Sequence, residues 1–275
     1  QTAGVEVVEA GRDLFDKLSE ALDGLAAARV GFEAEHTSVV RYERLRARFD
    51  TTELVATTGM VEAIRRTKEP AEIAVMARAA QIADLGFAAC RDGVFAGRTE
   101  RQVAWELETI MRQAGADGPS FGIIVASGEN GARPHAVPSA TRIAKDTLVT
   151  IDMGAVLDGY VSDCTRTFAT GPLPASLAEA YDVCLAAQQA ALAAVRPGIS
   201  GGDLDKVARD HIGGAGLGEM FRHSLGHGVG MDVHEEPYAR EGLTDELGLG
   251  MTVTIEPGIY LEGIGGVRIE DLVVV

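Results

Sequence analysis

Four acidic residues of this 275-residue sequence stand inside apolar, strand-like runs. They are Asp152 in Leu148-Val149-Thr150-Ile151-Asp152-Met153-Gly154, Asp163 in Val161-Ser162-Asp163-Cys164-Thr165, Glu256 in Thr252-Val253-Thr254-Ile255-Glu256-Pro257-Gly258, and Glu270 in Gly266-Val267-Arg268-Ile269-Glu270-Asp271. Between the two aspartates, Leu157-Asp158-Gly159 has the chemistry of a tight turn, so their strands form a hairpin. Side chains alternate across a strand, which puts Asp152 and Asp163 on one face, directly opposed or one diagonal step apart according to register. Glu256 and Glu270 lie seven residues either side of Gly263, and a turn centred there sets them opposite each other. Taken singly, such pairs are more often solvated or structural. Four carboxylates gathered in a dry site cannot all stay ionised without cations. Two divalent ions balance them, and an oxygen-rich set with one or two imidazoles suits Mn²⁺, Co²⁺ or Zn²⁺. On these acids alone a glycosidase-type pair stays open.

Six histidines occur, and His223, His227 and His234 fall within residues 221–235, spaced four and seven apart with glycines at 226, 228 and 230. The glycines let backbone and ligand approach closely, so one imidazole can ligate while two flank it. His135 follows the loop 128–134, which delivers it to the edge of a cleft. His36 and His211 sit in ordinary contexts and receive no role. His223 and His227 form an HxxxH pair but lack the glutamate of a zincin helix. The glycine run 213–218 follows a helix and has no GK[ST] ending, so it reads as a flexible connection rather than a phosphate loop. No nucleophile elbow frames Ser127 or Ser224.

The elements that must carry these groups form an α/β pattern. Residues 12–28 place Leu14, Leu18, Leu22 and Leu25 at helical spacing, followed by a strand at 30–33, a helix at 37–48 and a strand at 53–56. The charged segment Arg65-Arg66-Thr67-Lys68-Glu69-Pro70 marks a boundary near residue 66 and opens a helix over 70–91. A second helix, 100–114, opens with Thr99 and Gln102 as a capping box. Strands at 121–126 and 147–168 follow, then helices 177–195 and 203–212, then strands at 252–260 and 266–275. Two helices followed by a carboxylate-bearing hairpin thus occur twice, which implies two similar α/β halves facing each other.

Lys plus Arg number 25 against 41 Asp plus Glu, a formal net charge of −16. That balance argues against nucleic-acid and anionic-membrane partners. No stretch reads as a membrane span, and residues 1–30 lack the pattern of a secretory leader, so the expected location is the cytoplasm. Cys90, Cys164 and Cys184 fit neither a disulfide framework nor a zinc knuckle. Beginning at Gln1 and stopping within Leu272-Val273-Val274-Val275, the sequence reads as part of a longer chain.

The segments IDMGAVLDGYVSDCTRTF, HSLGHGVGMDVHE, TIEPGIY and GGVRIED, in this order and spacing, resemble the Xaa-Pro peptidases, that is, prolidases and aminopeptidases P of the pita-bread fold. The resemblance implies a catalytic domain over 67–275, preceded by the C-terminal part of a smaller, creatinase-like α/β domain over 1–66. It implies Asp152, Asp163, His227, Glu256 and Glu270 as ligands of two divalent ions, Mn²⁺ first among them. His135, His223 and His234 become substrate-side histidines, Glu256 the proton acceptor, and Arg268 a support for the carboxylates. Met153 and Cys164 depart from nothing essential, since strand alternation turns both away from the acids. The implied reaction is hydrolysis of the bond before proline in Xaa-Pro dipeptides or proline-containing peptides, by a homodimer. Rivals are aminopeptidase P action on longer peptides, a methionine aminopeptidase-like enzyme, disfavoured by His223 and Arg268, and a non-catalytic pita-bread binding module, disfavoured by the complete ligand set.

Overall fold

The computed structural model describes residues 7–11, 14–25, 28–92, 95 and 97–275. By contacts the chain divides into two compact units, Gln1–Val61 and Glu62–Val275.

In the first unit, α1 (Leu14–Leu25), β1 (Arg29–Glu33), α2 (Val39–Arg48) and β2 (Glu53–Thr57) alternate. β1 and β2 pair in parallel, from Arg29 opposite Glu53 to Glu33 opposite Thr57, as a helical crossover requires. Ser38 caps α2 by accepting the Arg41 N–H. Of the helix expected over 12–28, residues 12, 13, 26 and 27 lie outside the described ones. Leu14 and Leu18 have the helical spacing but are exposed. A short helix, α3 (Met60–Arg65), follows.

The second unit opens with α4 (Pro70–Asp92) and α5 (Glu100–Gln113). Thr99 and Gln102 form the reciprocal capping box that starts α5, whose Val103, Leu107 and Met111 are buried one turn apart. α4 contradicts the expectation that no stretch approaches a membrane span, since by length and composition Pro70–Arg91 passes that test. Its Ala79, Ala83, Phe87 and Cys90 instead pack on Val149, Ile151 and Met153 in a protein core. Strands β3 (Gly118–Pro119), β4 (Ile124–Ser127), β5 (Leu148–Met153), β6 (Ala155–Leu157), β7 (Tyr160–Val161) and β8 (Cys164–Ala169) complete this half. They form two antiparallel sheets, β4-β5-β8 and β3-β6-β7.

The second half repeats the plan. α6 (Ala175–Ala194) and α7 (Gly201–Gly214) cover β9 (Gly226–Gly228), β10 (Glu235–Ala239), β11 (Thr252–Ile255), β12 (Gly258–Leu261), β13 (Gly265–Arg268) and β14 (Asp271–Val274). Leu177, Cys184, Leu204 and Ile212 of the helices meet Val253, Ile255, Ile259 and Val267 in a core of their own. Each such fully buried aliphatic side chain contributes roughly 1.5–3 kcal/mol. Against expectation, the glycines at 213 and 214 extend α7 rather than form a loop. The glycine-rich segment around His227 is likewise a strand, β9, paired antiparallel with β10.

Both long hairpins keep one register while changing sheet halfway. In the first, Asp152 faces Thr165 in the β5–β8 ladder and Leu157 faces Tyr160 beyond the break, around a turn whose Asp158 and Gly159 have φ of 50° and 82°. In the second, Ile255 faces Asp271 and Gly258 faces Arg268, so the register carries Glu256 opposite Glu270. Asp163, Glu256 and Glu270 occupy the breaks themselves, where the ladders interrupt, and Asp152 is the penultimate residue of β5, just before one. A Cβ on Gly154 would lie 1.7 Å from the Ser162 carbonyl oxygen, so the first break closes only around glycine. The hairpins lie against each other through Glu270 N–H to Thr165 O (3.1 Å) and Thr167 Oγ1 to Arg268 O (2.8 Å).

Candidate active site

The hairpin breaks and β9 converge on one cavity of about 410 Å³, a size typical of small-molecule sites. Asp152, Asp163, His227, Glu256 and Glu270 all line it, together with His135, His223, His234 and Arg268. Ligand atoms of Asp163, His227 and Glu270 lie within 4.8 Å of one another. His227 Nε2 is 3.1 Å from Glu256 Oε1 and 3.7 Å from Asp163 Oδ2. The two aspartates take the diagonal relation, because Asp152 is opposite Thr165 rather than Asp163.

The neighbours hold three of the acids by one oxygen each. Asp152 Oδ2 accepts from Arg268 Nη2 at 2.6 Å, and Glu270 Oε2 accepts from Thr165 Oγ1 at 2.7 Å. Glu256 Oε1 accepts from Thr254 Oγ1 at 3.0 Å. Asp152 Oδ1 and Glu270 Oε1 are buried without any partner, a costly state for a carboxylate oxygen unless something positive meets it. His227 places Nδ1 against the Gly228 carbonyl at 3.0 Å. That bond fixes the proton on Nδ1 and leaves Nε2 as a lone-pair donor toward the acids.

The electrostatics point the same way. Burial, followed by the charges of Glu270, Asp152 and Glu256, pushes the Asp163 carboxyl well above its ordinary range. Burial and then the charges of Glu256 and Asp152 do the same to Glu270. Asp152 rises through burial, with the Arg268 charge opposing. Glu256 is the exception, since the hydrogen bond and charge of His227 outweigh its burial and hold it low. Four carboxylates against one buried guanidinium leave an excess of negative charge that only protons or cations can neutralise. The donor set and its two orphaned oxygens fit hard divalent cations.

The remaining residues around the cavity divide by what their nitrogens already do. Arg268, 3% exposed, also donates from Nε to Thr165 Oγ1 and from Nη1 to Pro134 O and Tyr260 OH. It acts on the site by orienting Asp152. His223 has both ring nitrogens engaged, Nδ1 with Ser224 O and Nε2 with Tyr260 OH, each at 2.8 Å. Burial lowers its pKa first of all, so a neutral ring is clasped in the wall. The His234 ring lies 4.2 Å from that of His227, and no group among the described residues hydrogen-bonds its nitrogens. His135 is exposed at the rim.

Two buried acids from helix starts hold the loops that carry these histidines. Glu100 of α5 accepts from the backbone and hydroxyl of Ser127 and Ser139 and from Asn130, bracketing the loop of His135. Asp205 of α7 accepts from Arg209 and Leu225 N–H, while Arg209 donates to the His223 carbonyl. Sequence reasoning missed these, along with Thr165 and Tyr260. Thr165 could have been found by alternation, two residues beyond Asp163, whereas Tyr260 stood unassigned at the end of TIEPGIY. Met153 is fully buried in the core, while Cys164 donates its thiol to the Glu270 carbonyl.

The comparisons with known proteins agree with this geometry. The creatinase/prolidase N-terminal domain matches residues 1–67 and metallopeptidase family M24 matches residues 74–275. An Xaa-Pro dipeptidase of Pyrococcus horikoshii is 38% identical over 260 residues, 94% of this chain and 73% of that protein. The solved structure of an Xaa-Pro dipeptidase from Bacillus anthracis superposes with a TM-score of 0.97 at 40% identity, over 100% of this chain and 77% of that one. An X-Pro aminopeptidase from Thermotoga maritima gives 0.90 at 35% identity, over 98% and 76%. The two facing α/β halves are therefore the pita-bread fold, and the chain belongs to metallopeptidase family M24, a metal-dependent hydrolase carrying a creatinase/prolidase-type N-terminal segment.

Proposed function

We propose that this chain hydrolyses the peptide bond preceding proline, with Asp152, Asp163, His227, Glu256 and Glu270 holding two divalent ions, Mn²⁺ foremost. The observation that carries the reading is the convergence of those five side chains with two buried carboxylate oxygens left unpartnered. Ions bound there supply a lowered water pKa and polarisation of the scissile carbonyl. Glu256, fixed at Oε1 by the Thr254 hydroxyl, takes the proton of the attacking water. His234, with free nitrogens over the same centre, donates to the oxygen that gains charge. His223 cannot do so while Tyr260 and Ser224 hold its ring, and it serves as part of the wall. Phe121, Ile124 and Val233 offer apolar surface for the prolyl ring.

A second reading, cleavage of longer peptides with proline second, draws on one specific observation. Among the described residues Arg268 is the single arginine or lysine lining the cavity, and Asp152, Thr165, Pro134 and Tyr260 already occupy its nitrogens. Histidines and the hydroxyls of Ser224 and Tyr238 are then the lining donors that remain to meet the free carboxylate of a dipeptide. The same proposal includes a homodimer, action in the cytoplasm, consistent with three free cysteines, and a division of the chain at residues 66/67.

The test is hydrolysis of Ala-Pro, Ala-Pro-Ala and Met-Ala, with Mn²⁺ and with chelator. Chelator-sensitive cleavage of the proline substrates supports the assignment, and their ratio separates the two readings. Preference for Met-Ala, or purified protein without stoichiometric metal after Mn²⁺ loading, refutes it.

A further inference from the structure

The charged segment at 65–70 marks a change of unit by composition, yet its side chains reach toward the loop that carries His234. Arg65 Nη2 lies 2.8 Å from Asp232 Oδ2 and 2.5 Å from Glu235 Oε2. Lys68 Nζ lies 2.7 Å from Glu235 Oε1, and Arg66 Nη1 is 3.7 Å from Glu236 Oε2. Three cations in a stretch of four residues thus meet three acids on both sides of His234. The pair at the centre is buried, Lys68 being 5% and Glu235 9% exposed. Glu235 also accepts the Asp232 N–H at 3.3 Å, closing the loop 232–235 on itself. A Cβ on Gly230 would sit 2.2 Å from Glu235 Oε1, so the loop's entry is built around this carboxylate. The cation segment is itself anchored, through the Lys68 N–H to Gly250 O at 2.9 Å and a bridge from Thr67 to Met251.

A buried ion pair adds little net stability compared with apolar side chains, but it fixes geometry. What this one fixes is the backbone on either side of an imidazole that has no hydrogen bond of its own and must aim at a reacting oxygen.

We propose that Glu235, clasped by Lys68 and Arg65, is the positioning residue for His234, so that the segment opening the second unit sets the reactivity of the centre. The inference rests on the role given to His234 under Proposed function. Misplacement of such a donor by about 1 Å costs on the order of 100-fold in turnover.

The test is a double-mutant cycle on the metal-loaded, full-length chain. Glu235→Gln is expected to lower kcat by about 10- to 100-fold with KM changed less than about 3-fold. In a His234→Ala background the same change should cost less than about 2-fold, because the group it positions is gone. Lys68→Met should reproduce the loss and Lys68→Arg should retain most activity, which guards against a Glu235 variant that fails to fold. Amide exchange over 229–238 in metal-free protein should speed up in Glu235→Gln. Equal kcat losses in the presence and absence of His234, or unchanged exchange, would overturn the proposal. Should the wild-type chain cleave no proline substrate, the functional reading falls, while the exchange measurement still decides the clasp.

Discussion

Removing the metal should make the stability of this protein fall as pH rises from 5 to 6, the reverse of what paired surface acids produce. Asp163 and Glu270 have folded-state pKa values well above their unfolded ones, through burial and mutual repulsion. Between the ordinary carboxylate range near ~4 and those raised values, the folded state holds protons that the unfolded state has released. Stability then falls with pH, by about 1.4 kcal/mol per pH unit for each proton that the folded state alone retains. For a unit of this size each such proton corresponds to roughly 3–6 °C in Tm per pH unit. His227 adds the same sign later. Its pKa is raised because Glu256 outweighs its burial, so the stabilisation from that pair is present below the unfolded histidine value and is lost as pH climbs through the raised one. Circular dichroism melts in chelator at pH 5.0, 5.5 and 6.0 measure the slope. Glu270→Gln removes one titrating acid and should make it shallower. Saturating Mn²⁺ should abolish it, because bound cations favour the ionised acids and release the protons. A flat or rising chelator profile, or an unaltered slope in Glu270→Gln, would refute the reasoning.

Asp163→Ala should eliminate stoichiometric metal and Xaa-Pro hydrolysis together while retaining the helical circular dichroism signal, and full activity in this variant would remove Asp163 from the site. Tyr260→Phe breaks the relay from Arg268 to His223 in a fully buried position. It should destabilise the protein by about 1–3 kcal/mol in urea unfolding, and a loss below a few tenths would show that Arg268 and His223 find other partners.

The acids were legible in the sequence because a strand's alternation and a turn's position fix which side chains share a face. The count of seven residues on each side of Gly263 set Glu256 opposite Glu270 without any tertiary information, and the observed register has them so. For the aspartates the turn left two relations open, and the two-residue Asp158-Gly159 turn selected the diagonal one. Helix α5 was legible to within a residue through its capping box, whereas β9 was not. Three residues of mostly glycine carry no strand signal, and β9 owes its conformation to β10 and to the Thr254 hydroxyl that accepts the His227 N–H.

Local chemistry by itself thus determined the two-fold plan of helices and hairpins and the four clustered acids, since periodicity, caps and turn residues act over a few positions, while His227 was singled out from its neighbours only by the family resemblance. Only the tertiary structure decided which histidine keeps free nitrogens and what the 65–70 segment does. Those outcomes depend on contacts between residues far apart in the chain, such as Tyr260 with His223 and Lys68 with Glu235. No local pattern encodes a hydrogen-bond partner 167 residues away; it exists only once both halves have packed and water has been excluded between them.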